Sequence, residues 1–118
     1  MLNKVQLIGY LGGNPDFRRT AQDVAVATLS LATTRRFKDR DGKVLEETEW
    51  HRAIFFGHMA EIANKYCHKG MLIYIEGRLK TRKWEENGKD RYTTEIIAEQ
   101  MRLLESSRNH EEKNQNED

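Results

Sequence analysis

Residues 46–75 read EETEWHRAIFFGHMAEIANKYCHKGMLIYI, and this stretch decides the fold because the spacing of its apolar side chains changes twice. Up to residue 56 the side chains alternate with period two, as they do along a β-strand. The apolar residues that follow have the spacing of one helix face: Met59, Ile62, Ala63, Tyr66 and Cys67. Lys69 and Gly70 are a typical helix stop, and period two returns after them. The stretch therefore predicts a strand, a short helix and another strand.

Strand patterns flank this stretch on both sides. The predicted strands span residues 3–12, 24–34, 46–56, 71–84 and 90–104. Residues 38–43 form a polar loop with Asp-Gly turn chemistry. Asn87 and Gly88 both tolerate positive φ, which is what a two-residue hairpin turn requires, so the last two strands should form a long β-hairpin.

Three strands, a helix and a long hairpin, in that order, are the arrangement of the OB-fold. We therefore predict an all-β protein, a five-stranded OB-fold Greek-key barrel with one helix between strands 3 and 4. Barrels of this kind bind oligonucleotides or oligosaccharides on a sheet face and its neighbouring loops.

The charged residues are unevenly distributed along the chain. The whole sequence has 118 residues, 33% of them charged, and a net charge of +1. Residues 105–118 hold two basic and five acidic side chains and no hydrophobic ones, so residues 1–104 carry a net charge of +4. We expect residues 1–104 to form one folded domain and residues 105–118 to be a short disordered acidic tail.

Cysteine content and hydropathy suggest an intracellular protein. The single Cys67 cannot form an internal disulfide. No apolar run approaches the roughly 20 residues of a membrane span, and the first residues lack a secretory or transit pattern. We therefore expect the protein in the cytoplasm, associated with the nucleoid if its ligand is DNA.

Aromatic side chains are interleaved with basic ones on the predicted strands. Proteins that hold single-stranded nucleic acid need flat aromatic rings that stack on bases and a basic groove that follows the phosphates. The candidate stacking residues are Phe37, Trp50, Phe56 and Trp84. Taken singly, each tryptophan is as compatible with a core position as with a binding surface. Phe55 and Tyr66 are assigned to the core, the latter because it lies on the apolar helix stripe.

Several short blocks of the sequence carry a family resemblance. They are residues 3–5, 9–12 with Pro15, 48–52 with 56–57, 74–79, 81–84 and 90–95. In this order they resemble the bacterial-type single-stranded DNA-binding proteins (SSB), and they cover almost all of residues 3–98. The resemblance implies an OB-fold homotetramer around which single-stranded DNA wraps. It also implies sequence-independent binding and protection of that DNA in replication, recombination and repair, without catalysis and without a cofactor.

The resemblance also implies roles for individual residues. Trp50, Phe56 and Trp84 match family positions that stack on bases, and Phe37 stands where the family usually has tryptophan. The basic positions that would line the phosphate path are Lys4, Arg18, Arg52, Lys69, Lys80, Arg82 and Lys83, together with Arg35 beside Phe37. At another lysine position of the family this chain has His58, which is mostly neutral at pH 7.

Four further residues are predicted at an interface between subunits. The resemblance places His51 there, and Tyr74, Glu76 and Thr94 are expected to share the interface. A metal-ligand role for His51 is disfavoured because no second histidine or carboxylate stands at ligand spacing. No metal site is predicted.

The chain departs from the family at its C-terminus. Family members usually have a linker and an acidic tip with a terminal hydrophobic dipeptide that recruits replication and repair enzymes, and both are missing here.

Three other interpretations stay open at this point. A primosome-type OB dimer would have similar sequence blocks but different partners. RNA binding is possible because stacking does not test for the 2′-OH. A metal-dependent nuclease would need clustered carboxylates, which the strand faces do not assemble.

Overall fold

A computed structural model describes residues 1–105 of the chain. The elements are β1 (Val5–Leu11), β2 (Asp16–Arg19), β3 (Ala25–Lys38), β4 (Val44–Phe56), α1 (His58–Tyr66), β5 (Leu72–Glu86) and β6 (Lys89–Glu105). The five long strands and the helix between the third and fourth of them confirm the predicted all-β architecture. The short β2 was not predicted. The tail predicted for residues 105–118 lies outside the described residues except for Glu105, which ends β6.

Strand pairing closes the sheet into a barrel. The order across the sheet is β1-β5-β6-β4-β3-β2, and β1 also pairs with β3. That closing contact is short, with Tyr10 opposite Ala32 and Leu11 opposite Leu31. The β4–β6 pairing is parallel and equally short, with Ala53 opposite Ile96 and Ile54 opposite Ile97. Within residues 1–105 no helix is long and apolar enough to cross a membrane.

The core lies inside the barrel because alternate residues of each strand point inward. The buried apolar side chains include Leu11, Ala27, Leu29, Leu31, Ala53, Phe55, Ile73, Ile75 and Ile96. Helix α1 adds Ala60 and Ala63 to this cluster. The assignment of Phe55 to the core is confirmed, since its side chain is fully buried.

The assignment of Tyr66 to the core is wrong. Its side chain is 49% exposed. The helix ends at Tyr66, and the extended backbone of Cys67 (φ −92°, ψ 136°) turns the chain so that the cysteine takes the buried place. The Lys65 ammonium lies 5.3 Å from the centroid of the tyrosine ring on the surface.

Both hairpins continue beyond the barrel as two-stranded ribbons. The β3–β4 ladder runs to the pair Lys38 and Val44, and the β5–β6 ladder runs to Glu86 and Lys89. Asn87 (φ 54°) and Gly88 (φ 77°) adopt the left-handed conformation that the hairpin turn requires, so this turn is confirmed. Several candidate residues lie on these ribbons, among them Phe37 and Trp84.

One extra residue in β6 shifts the alternation of its side chains by one position in the sequence, so that even-numbered residues face the core before it and odd-numbered residues after it. Glu76 lies opposite Gln100, but Gly77 lies opposite Ala98, so Glu99 has no counterpart on β5. This is a β-bulge, in which two residues of one strand oppose one of the other. Ile96 before the bulge and Met101 after it therefore both pack against the core.

Candidate nucleic-acid interface

The outer face is defined here as the side of β3, β4 and the β5–β6 hairpin (residues 80–95) that points away from the barrel core, and the opposite side of each hairpin is called its reverse face. On β4 it carries Trp50, Arg52 and Phe56, because these residues alternate with the buried Ala53 and Phe55. Exposure is 61% for Trp50, 50% for Phe56 and, on β5, 42% for Trp84. Large aromatic rings are usually more buried than this. Of the two positions that the sequence left open for each tryptophan, core or surface, the structure shows the surface.

Trp50 rests on the turn that follows β1. A Cβ atom placed on Gly12 would lie 2.4 Å from Cζ3 of the indole, so only glycine leaves room for the ring there. Beside the ring, a groove of about 330 Å³ is lined by Asn14 of the turn, by Asp16 at the start of β2, and by Ser30 and Arg52 on β3 and β4. The groove has the dimensions of a small ligand pocket and opens next to an exposed aromatic face.

Arg52 and Arg82 converge on one buried carboxylate. Arg52 Nε donates to Glu95 Oε2 at 2.7 Å, and Arg82 Nε donates to Glu95 Oε1 at 2.6 Å. Burial alone would raise the pKa of Glu95, but the hydrogen bonds and charges of the two arginines outweigh burial and lower it. The carboxylate is therefore ionised at neutral pH. The same hydrogen bonds raise the pKa of Arg82.

The β5–β6 hairpin divides its basic residues between two faces. Lys80, Arg82 and Trp84 share the outer face, and the Arg82 guanidinium carbon lies 6.0 Å from the Trp84 ring centroid. Lys83 lies on the reverse face, 3.3 Å from Asp90 Oδ2 and 5.9 Å from the Tyr92 ring centroid. Only the outer-face residues continue the surface of Trp50 and Arg52.

Phe37 and Arg35 occupy the reverse face of the β3–β4 hairpin. The register sets Trp50 opposite Ala32 and Phe37 opposite Leu45, which puts Trp50 and Phe37 on opposite sides of the two-stranded ribbon. The Arg35 guanidinium carbon lies 4.5 Å above the half-buried Phe37 ring. The aromatic stripe of the sequence is therefore divided between two sides of this hairpin.

The remaining predicted phosphate residues lie at three places around the barrel. Arg18 on β2 is in the row that continues through Val26 to Phe56, so it borders the outer face. The Lys69 backbone N–H donates to Asn14 Oδ1 at 2.9 Å, which sets Lys69 beside the groove. Lys4 lies on the β1–β5 side of the barrel, with its Nζ 3.5 Å from Glu76 Oε2.

The four predicted interface residues do not form one cluster within the described chain. Tyr74 donates a hydrogen bond to Glu76, which lowers the pKa of that carboxyl. Both lie on the side of β1 and β5 that also exposes Ile8 and Tyr10. His51 Nε2 lies 2.8 Å from Thr33 Oγ1. The hydroxyl groups of Thr94 and Thr81 are hydrogen-bonded, with 3.0 Å between their Oγ1 atoms, on the reverse face of the β5–β6 hairpin.

Sequence reasoning assigned no role to two residues that shape this surface, Gly12 and Glu95, or to Tyr92 on the reverse face of the β5–β6 hairpin. Gly12 supports Trp50, Glu95 orients two arginines, and Tyr92 exposes its ring beside Lys83. The one available signal was an acidic residue within the β-branched run at 93–97, since a buried carboxylate needs cationic partners. His58, at the start of α1, has its Nδ1 3.7 Å from Glu61 Oε2.

Most of the chain is similar in sequence to known proteins. The sequence profile described as the single-strand binding protein family matches residues 2–104. Single-stranded DNA-binding protein 1 of Chlorobaculum tepidum is 48% identical over 105 residues, which cover 87% of this chain and 65% of that protein. The protein of the same name from Xylella fastidiosa is 50% identical over 105 residues, covering 87% of this chain and 77% of that protein.

Solved structures resemble the whole barrel. The Plasmodium falciparum SSB complex with ssDNA has a TM-score of 0.83 and 35% identity, covering 89% of this chain and 96% of that chain. A deletion mutant of the single-stranded DNA binding protein from Thermus aquaticus has a TM-score of 0.79 and 38% identity, covering 90% of this chain and 52% of that chain. These neighbours confirm the predicted OB-fold.

Proposed function

Because this chain belongs to the single-strand binding protein family, we propose that its outer face binds single-stranded DNA without sequence preference. The observation that carries the proposal is the set of exposed aromatic rings, Trp50, Phe56 and Trp84, on one face with Arg52 and Arg82. Aromatic rings stack on any base, and guanidinium groups pair with any phosphate, so this chemistry tolerates every sequence.

Binding of this kind protects the strand and melts hairpins by mass action, because only the unpaired form has accessible base faces. We propose that this serves replication, recombination and repair in the cytoplasm, close to the nucleoid. Members of the family are binding proteins. The proposal accordingly assigns the chain no catalytic step.

Salt dependence tests the phosphate path. We expect the logarithm of the affinity for poly-dT to fall linearly with the logarithm of salt concentration, with a slope near about −0.7 per neutralised phosphate. Lys80→Ala should reduce the magnitude of the slope by about 0.7, since Lys80 is an exposed cation on the outer face. Lys65→Ala, on α1, is the matched control and should leave the slope unchanged. A slope near zero for the parent protein would contradict the proposal.

The close contact between Gly12 and Trp50 provides a second prediction. Gly12→Ala forces the indole to move, because the new methyl group would overlap Cζ3. We expect a shift in tryptophan emission and weaker binding of a dT oligonucleotide, by up to the roughly 1–3 kcal/mol of one stacked base. Gly13→Ala meets no atom within 4 Å and is the control. Equal binding by both variants would show that the position of the Trp50 ring is unimportant.

We further propose that the chain forms a homotetramer. The exposed Ile8 and Tyr10 beside Tyr74 and Glu76 support an interface on the β1–β5 side of the barrel. The mass in solution distinguishes a tetramer from the dimer of a primosome-type protein. A matched dT and rU pair of oligonucleotides distinguishes a DNA-binding from an RNA-binding module, since only the rU strand carries the 2′-OH.

A further inference from the structure

Glu95 is a charged residue inside an otherwise apolar set of buried side chains. Its side chain is 1% exposed, yet both of its oxygens are used. Oε1 accepts from Arg82 Nε at 2.6 Å, and Oε2 accepts from Arg52 Nε at 2.7 Å and Arg82 Nη2 at 3.1 Å. The two arginine side chains remain about half exposed. One enclosed carboxylate thus fixes two cations that reach the surface.

The three residues of this cluster come from three different strands. Arg52 is on β4, Glu95 on β6 and Arg82 on β5, and β6 lies between the other two in the sheet. The β4–β6 ladder consists of the pairs Ala53–Ile96 and Ile54–Ile97. Arg52 and Glu95 occupy the next position along it, where pairing between the two hairpins stops. The ion pairs therefore connect the hairpins where backbone hydrogen bonds no longer do.

The two arginines of the cluster lie between the two exposed tryptophans along the chain. Arg52 is two residues after Trp50, and Arg82 is two residues before Trp84, all on the outer face. A guanidinium carries five N–H donors. Arg82 uses two of them on Glu95 and Arg52 uses one, so both retain donors for a phosphate.

We infer that Glu95 is a positioning residue for single-strand binding, one that orients Arg52 and Arg82, and with them the two hairpins that carry Trp50 and Trp84. It acts through the arginines and touches no nucleotide. A carboxylate lowers the positive charge of the binding face, so it opposes phosphate binding by charge alone. Glu95 favours binding because it holds the long side chains of Arg52 and Arg82 in the geometry that binding needs. This inference rests on the proposed function.

A role in charge and a role in positioning predict opposite changes in DNA affinity for Glu95→Gln. The amide has nearly the same shape but removes one negative charge, so a face that works by charge alone would bind more tightly. Positioning predicts that affinity for a dT oligonucleotide falls by about tenfold, as when a residue that orients a metal ligand is lost. It also predicts a smaller change in tryptophan fluorescence at saturation. The charge-matched control is Glu85→Gln on the reverse face of the same hairpin, which should bind as tightly as the parent or slightly more tightly.

A second variant tests the same inference at an exposed position. Arg82→Lys keeps the charge but loses the two-pronged contact with Glu95. We expect it to bind almost as weakly as Arg82→Ala at low salt. If Glu95→Gln binds like its control, or if Arg82→Lys binds like the parent, the positioning role is wrong. If Glu95→Gln does not fold by circular dichroism, Arg82→Lys alone decides. A parent protein that fails to bind the oligonucleotide would instead refute the proposed function.

Discussion

Trp50→Ala and Trp84→Ala should each weaken the binding of a dT oligonucleotide by roughly 1–3 kcal/mol, the contribution of one stacked base. Both rings are exposed on the outer face, so their removal leaves no cavity in the core. A loss of about 1.4 kcal/mol is a tenfold change in the dissociation constant. In each single variant the remaining tryptophan reports binding by fluorescence. The double variant can be followed by anisotropy of a labelled oligonucleotide.

The double variant tests whether the two rings act on separate bases. They belong to different strands and hairpins, so their losses should add to within about 0.5 kcal/mol if they share no partner. Tyr66→Ala removes an exposed aromatic from the helix and is the control for loss of any surface ring. Stacking would be refuted if both single tryptophan variants bound as tightly as the parent.

Alanine substitutions of the adjacent Phe55 and Phe56 should affect different properties, the first the stability of the fold and the second oligonucleotide binding. Phe55→Ala empties a fully buried site and should cost about 3–5 kcal/mol of unfolding free energy. That is a large share of the roughly 5–15 kcal/mol that holds a small domain folded. Phe56→Ala, on the opposite side of the same strand, should change stability by less than about 1 kcal/mol. It should instead weaken oligonucleotide binding by up to roughly 1–3 kcal/mol.

Urea unfolding of both variants and oligonucleotide binding at low denaturant measure the two effects. At a temperature where Phe55→Ala is still folded, its affinity should equal that of the parent. The assignment of faces would be wrong if Phe56→Ala were the less stable variant, or if Phe55→Ala lost affinity while folded.

The sequence predicted the barrel because its strands are long and its apolar residues keep a regular period. Strand β2 has only four residues and one partly buried apolar side chain, Phe17, which is too little pattern to detect. The error at Tyr66 has a different origin. The apolar stripe has the spacing of a helix face up to Cys67, but the helix itself ends one residue earlier.

The site was predicted residue by residue but not as an arrangement. Strand alternation correctly grouped Trp50, Arg52 and Phe56, since they belong to one strand. Phe37 and Trp50 lie on opposite sides of the hairpin because of the register between β3 and β4, and the residue pattern of either strand does not reveal that register. The pairing of Arg52 with Glu95 joins residues 43 positions apart, and no local pattern predicts it. The binding and interface roles of the individual residues stay predictions until the variants above are measured.

The bulge at Glu99 lets β6 hold one residue more than its partner strand while its flanking side chains keep their faces. Deleting this one exposed residue would place Gln100 directly after Ala98, opposite the partners Glu76 and Gly77 that they already have. Gln100 would still point out of the barrel and Met101 into it, because Ala98 and Met101 would then be two positions apart. An insertion at the hairpin turn of Asn87 and Gly88 would only lengthen an exposed loop. We therefore expect natural relatives to vary in length at the hairpin tip and by one residue at position 99, and to keep the residue count in the regularly paired parts of β6.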